Sequence, residues 1–168
     1  MSAKQHKQKT LEDLFHETLK DMYYAEKQIL KALPKMAKAA HSDELREAFE
    51  HHHDQTEAHV ERLEDVFDQL GKPARGKPCE AILGIVEEGK EVMDTFGDSP
   101  ALDAGLLAGA QAVEHYEISR YGTLKTWAGE LGLDAATRLL DQTLQEEKQT
   151  DALLTKLAAS AVNQQAAA

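Results

Sequence analysis

The stretch Met22-Tyr23-Tyr24-Ala25-Glu26-Lys27-Gln28-Ile29 decides the fold. Glu26 stands between Met22 and Ile29 at steps of four and three, on a stripe where a packed helix prefers leucine. Leu11, Phe15 and Leu19 before it, and Leu33 and Met36 after it, extend that stripe from about Thr10 to Ala40. The spacing predicts one long amphipathic helix, near 45 Å if about 30 residues are helical. Pro34 falls inside the pattern and should kink the helix without ending it, because the apolar spacing resumes beyond it.

The same interruption recurs further along the chain. His52, Thr56 and His59 continue Phe49 toward Leu63 on one face; Glu114 and Glu117 stand between Ala110 and Tyr121; Glu147 and Asp151 stand between Leu144 and Leu154. Glu26 and His59 are 33 residues apart, as are Glu114 and Glu147, and one shift of 88 residues maps the first pair onto the second. A duplicated helix hairpin has that relation. Inward acids on facing helices are how a four-helix bundle builds a metal site.

The connections set the topology. Ser42, with Glu44 and Glu47, caps a second helix through Phe49, Leu63 and Leu70, which Gly71 ends. Gly71 to Pro78 is a Gly- and Pro-rich loop, and Ile82 to Phe96 is a shorter amphipathic helix ending near Gly97. Asp98-Ser99-Pro100 opens another long helix, closed by Gly132, and Asp134 caps the last, with a frayed Ala-Gln tail beyond. Tight turns near His41 and Gly132 force two antiparallel hairpins, and the long passage between them is a crossover with its own short helix. With 168 residues, 42% hydrophobic and only 5% aromatic, one all-α domain is expected, its core at about residues 10–160 and its tails flexible.

The formal charge of −11 argues against nucleic acid, since only Lys4, His6, Lys7 and Lys9 form a basic patch. Cys79 is the lone cysteine, which excludes an internal disulfide and a cysteine-based zinc or iron–sulfur site. No stretch reaches the ~18 apolar residues that cross a bilayer, and the N-terminus lacks an apolar signal core. A soluble, cytoplasmic protein without a membrane partner is expected.

If the turns centre near residues 41 and 132, Glu26 lies opposite Thr56 to His59, Glu114 opposite Asp151, and Glu117 near Glu147. Five carboxylates at one dry level repel one another, and burying one unpaired ion costs several kcal/mol. No Arg or Lys shares those seams, so protonation or bound divalent cations must neutralise them. Oxygen ligands with an imidazole suit iron or manganese, with zinc also compatible. The ligand set is Glu26, His59, Glu114, Glu117, Glu147 and Asp151, with His52 in a supporting position. His51 and His53 point elsewhere on the helix, and His115 points off the seam.

The strings Asp21-Met-Tyr-Tyr-Ala-Glu-Lys-Gln28, Leu33-Pro-Lys-Met36, Val113-Glu-His-Tyr-Glu-Ile118 and Leu144-Gln-Glu-Glu-Lys148 resemble the YciE/YciF family of bacterial stress proteins, in the ferritin-like superfamily. That resemblance covers residues 10 to 160. It implies a ferritin-like four-helix bundle, commonly dimeric, with a dinuclear iron or manganese site and a role in stress or peroxide defence. Glu26, Glu114 and Glu147 match the acids that such bundles carry on three helices, and Glu117 resembles an additional acid of rubrerythrins. The chain departs from the paired Glu-x-x-His motif: His59 stands where the glutamate is expected, with Arg62 three residues on, and Glu147 is followed by Thr150 and then Asp151. A stress protein with a carboxylate-rich iron or manganese site, acting on hydrogen peroxide as a peroxidase or catalase-like enzyme, is the leading expectation. A non-enzymatic protein that sequesters metal or scaffolds partners is the other.

Overall fold

A computed structural model describes residues 8–168, so Lys4, His6 and Lys7 of the basic N-terminal patch lie outside the described residues. Five helices carry the core: α1 (Leu11–Ala39), α2 (Asp43–Gln69), α3 (Glu80–Phe96), α4 (Leu102–Glu130) and α5 (Asp134–Leu157). No strand occurs among the described residues. The bundle is built from the α1–α2 and α4–α5 hairpins, and α3 lies in the crossover against α1 and α4.

Each helix starts and stops for a local reason. Thr10 accepts from the Asp13 amide while Asp13 accepts from the Thr10 amide, a reciprocal cap that satisfies two orphan donors at the start of α1. Ser42 accepts from the Leu45 amide to open α2. Gly71 (φ +62°) and Gly132 (φ +70°) end α2 and α4 in the left-handed region, where a β-carbon is strained. Behind them, the Lys72 amide donates to the Phe67 carbonyl at 3.0 Å and the Leu133 amide to the Ala128 carbonyl at 2.9 Å, closing both ends alike.

Three boundaries differ from the sequence expectation. Asp134 is the first residue of α5 and Leu133 holds the cap position, so the Asp134 carboxylate acts on the helix dipole and not as a capping acceptor. Asp98-Ser99-Pro100 forms the turn before α4, where Ser99 Oγ accepts from the Ala101 amide at 3.1 Å. Past α5, the expected frayed tail stays helical through a π-helical turn (Ala158–Val162) and α6 (Asn163–Ala166). Val162 is buried, and both segments pack on α4, which holds the tail in place.

The hairpins are locked in level by one buried acid. Asp103, in the first turn of α4, accepts from the His41 amide at 2.8 Å and the Ser42 amide at 2.7 Å, tying α4 to the α1–α2 turn. The crossover loop is tied similarly: the Lys77 amide donates to the Lys20 carbonyl. Gly76 lies so close to α1 that an added β-carbon would sit 3.1 Å from Tyr24 Cβ.

Asp103→Ala strands both turn amides, and urea unfolding should show a loss of about 1.5–3 kcal/mol with an unchanged slope. An unchanged midpoint would remove this acid from the account of the fold.

Candidate metal centre

Four helices bring six side chains to one level. Glu26 comes from α1, His52 and His59 from α2, Glu114 and Glu117 from α4, and Glu147 from α5, and none is more than 4% exposed. Helical spacing explains the convergence, since residues three, four or seven apart share a face. Thr56 sits between the histidines, but its hydroxyl donates to the His52 carbonyl at 2.8 Å and adds nothing to the centre.

The side chains form two groups joined by one acid. His52, Glu114, Glu117 and Glu147 each present a ligand atom within 4.8 Å of the others, and so do Glu26, His59 and Glu147. Glu147 belongs to both. His52 Nε2 lies 3.1 Å from Glu114 Oε1, and His59 Nδ1 lies 2.9 Å from Glu147 Oε1 and 3.6 Å from Glu26 Oε1. These are close approaches without hydrogen-bond alignment. Glu26 Oε2, Glu114 Oε2, both oxygens of Glu117, both oxygens of Glu147, both nitrogens of His52 and Nδ1 of His59 are buried with no hydrogen-bond partner. An unpaired buried polar atom costs about 1–3 kcal/mol, more when charged. Carboxylate oxygens and imidazole nitrogens so arranged could hold a metal ion.

Protonation shows the same stress. Burial, assisted by the charge of Glu147, raises the Glu26 carboxyl to about 7. Burial and the Glu26 and Asp151 charges raise Glu114 to about 8, and burial with three neighbouring carboxylates holds Glu117 well above the usual range. Glu147 is raised by burial as well. Burial lowers His52, while His59 resists burial through its contacts with Glu147 and Glu26 and reaches about 9.

Of the six residues expected as ligands, five meet here. Asp151 does not: its side chain is 25% exposed and takes His115 Nε2 at 3.2 Å and the Gln111 amide at 3.3 Å. Depth along the helix is shared with Glu114, but its angular position turns it to the rim. His52, expected only in support, occupies the centre, because the residues between it and His59 complete two helical turns and restore its direction.

One residue beside the centre, Glu146, escaped the sequence reading, and the role of Arg62 escaped with it. Glu146 Oε2 lies 2.9 Å from His59 Nε2, and the Arg62 guanidinium grips the same carboxylate at 2.7 and 2.9 Å. Burial raises the Glu146 carboxyl, but Arg62 and His59 outweigh it and leave it below the usual range. Arg62 therefore does reach the bundle interior, from the flank of α2, and neutralises Glu146, not the inner acids. The sequence carried only half of this signal: His59 and Arg62 are one turn apart and share a face, but their spacing does not name the acceptor on α5. Tyr121 donates its hydroxyl proton to Glu26 Oε1.

A helical bundle of two hairpins around a buried carboxylate–imidazole centre defines the ferritin-like class. The chain belongs to the DUF892 family, described as a domain of unknown function, whose model matches residues 10–167. It is 43% identical over 159 residues to protein YciF of Escherichia coli K12, covering 94% of this chain and 96% of that protein. The crystal structure of that E. coli stress protein superposes with a TM-score of 0.88 over 93% of this chain and 99% of that one. YcfI from Rhodopseudomonas palustris is 45% identical, with a TM-score of 0.86 over 90% of this chain and 96% of that one. A protein from Xanthomonas campestris, 20% identical with a TM-score of 0.65 over 88% of this chain and 89% of that one, shares the fold. Among the described residues, no helix is long and apolar enough to cross a membrane.

Glu26 and Glu114 titrate well above the usual 4.5, and His59 well above 6.5. The folded chain thus binds more protons than the unfolded chain through this range, so stability falls as pH rises. The lowered His52 acts oppositely, below its usual 6.5. Chelator-treated protein should lose melting temperature from about pH 6.5 to about pH 9; a rise would contradict the buried cluster. Glu117→Gln keeps the shape and removes a carboxyl that must be either buried charged or held protonated, so it should raise the melting temperature of the chelated protein near pH 8. A fall there would mean that Glu117 is already neutralised by the chain itself.

Proposed function

We propose that the chain binds two iron or manganese ions in this centre and disproportionates hydrogen peroxide there as part of a stress response, one peroxide being oxidised to dioxygen as another is reduced to water. The observation that carries the reading is the set of buried, unpaired donor atoms divided into two groups that share Glu147. His52, Glu114 and Glu117 would hold one ion, Glu26 and His59 the other, with Glu147 between them. Either metal supplies the one-electron redox change and Lewis acidity that peroxide cleavage needs.

The chain's own groups orient that centre. Tyr121 fixes one oxygen of Glu26 and leaves Oε2 free. Glu146, charged and gripped by Arg62, accepts the Nε2 proton of His59 and so presents Nδ1 inward. Glu146 is 23% exposed, which places it to pass a proton between His59 Nε2 and solvent. The resemblance to YciF, named a stress protein, supports the physiological setting.

A second reading, metal sequestration without turnover, is favoured by Arg62. It stands one turn after His59, at the histidine position of the Glu-x-x-His motif, and its bidentate grip on Glu146 makes it a structural cation. One metal position then has only Glu26, His59 and shared Glu147.

Protein reconstituted with iron or manganese should bind two ions per chain and consume hydrogen peroxide. Glu147→Ala should lose both ions or retain one, Glu114→Ala should lose turnover, and Asp151→Ala should change neither. Equal peroxide rates in Glu114→Ala and parent rule out the enzymatic reading, and metal binding without turnover in the parent establishes the second.

A further inference from the structure

Protein interiors contain few voids larger than a water molecule. This bundle has a mainly apolar cavity of about 200 Å³, open to solvent on one side, between α1, α3 and α4 and reaching α2 and α5. Glycines on α3 and α4 help to shape it. At Gly105, α4 touches α3 so closely that an added β-carbon would fall 2.6 Å from Val92 Cγ1. One turn later, at Gly109, a β-carbon would meet nothing within 4 Å, and the same holds at Gly89 on α3. Both glycines line the cavity, so the absence of side chains there keeps it open.

The two ends of the cavity differ in chemistry. Its wall includes buried His52 and Glu114, whose Nδ1, Nε2 and Oε2 have no hydrogen-bond partner. It also includes exposed Lys31, Lys35 and Lys90. Lys90 is paired with Glu87 at 3.1 Å, while Lys31 and Lys35 form no ion pair among the described residues. On a chain of net charge −11, two uncompensated ammonium groups beside an apolar opening are a local reversal of sign. Ile29, Phe49, Val86 and Met93 supply the apolar wall between.

We propose that this cavity binds a small anionic amphiphile, a carboxylate on an apolar body of about eight to ten non-hydrogen atoms. The size follows from the benzene-binding capacity of a cavity of about 150 Å³. The carboxylate sits at Lys31 and Lys35, and the apolar body lies against Ile29, Phe49, Val86 and Met93. The site stands on the cavity and its rim, and does not depend on the metal reading.

Octanoate is the probe, titrated calorimetrically into the full chain both as purified and after chelation. One molecule per chain should bind in both forms, with octan-1-ol weaker. Gly109→Leu fills the cavity with a better helix former and should weaken octanoate about tenfold or more at an unchanged melting temperature. Lys31→Glu with Lys35→Glu should weaken octanoate about three- to tenfold and leave octan-1-ol unchanged. The proposal is overturned by no saturable binding, by full affinity in Gly109→Leu, or by octan-1-ol binding as well as octanoate. Binding confined to the metal-loaded form overturns it too, since the carboxylate would then be a ligand of the centre. Loss of metal or peroxide activity leaves octanoate binding intact and bears only on the function proposed above.

Discussion

Mutual repulsion among Glu26, Glu114, Glu117 and Glu147 is the constraint around which the rest of the bundle is arranged. All four carboxylates are at most 1% exposed, and one imidazole, that of His59, is the positive group held raised among them. The centre lies at mid-helix, where every backbone amide is already spent on the carbonyl one turn back. The acids therefore have no main-chain donors to accept from, as a carboxylate at a helix N-terminus would. Side chains, protons or cations are the remaining partners, and the side chains present satisfy only part of the donor set.

The scaffold answers with rigidity. Reciprocal caps, left-handed glycine ends and the Asp103 tie between hairpins fix the level at which the four helices present their acids. A slip of one residue on any helix would turn an inner acid by about 100° toward solvent or another seam. Precision of this kind also explains why Arg62 is held bidentately: a planar guanidinium gripped by Glu146 orients His59 from behind without entering the centre. The two sides of the centre are thus unlike. One is closed by the Arg62–Glu146 pair, and the other adjoins the apolar cavity under α3.

Much of this was legible in one dimension. The Met22–Glu26–Ile29 interruption, its echoes on three further helices and the shift of 88 residues announced a duplicated hairpin with an acidic middle. Gly71 and Gly132 announced the helix ends, because only glycine takes the left-handed turn at no cost. Asp151 and His52 show where the reading lost resolution. Sequence spacing reports depth along a helix well, but the angular difference between a centre-facing and a rim-facing residue is set by how neighbouring helices are rotated.

The sequence by itself determined the helices, the glycine ends of α2 and α4, the pairing into hairpins and the depth of the buried acids, because these depend on local periodicity and turn chemistry. Tertiary structure alone decided that Asp151 turns to His115 and Gln111, that His52 enters the centre, that Glu147 is shared, and that Glu146 links His59 to Arg62. It also decided where α1, α3 and α4 leave a cavity between them. Each of these is a distance between side chains far apart in the chain, fixed by the rotation and separation of packed helices, and no periodicity along one helix carries that information.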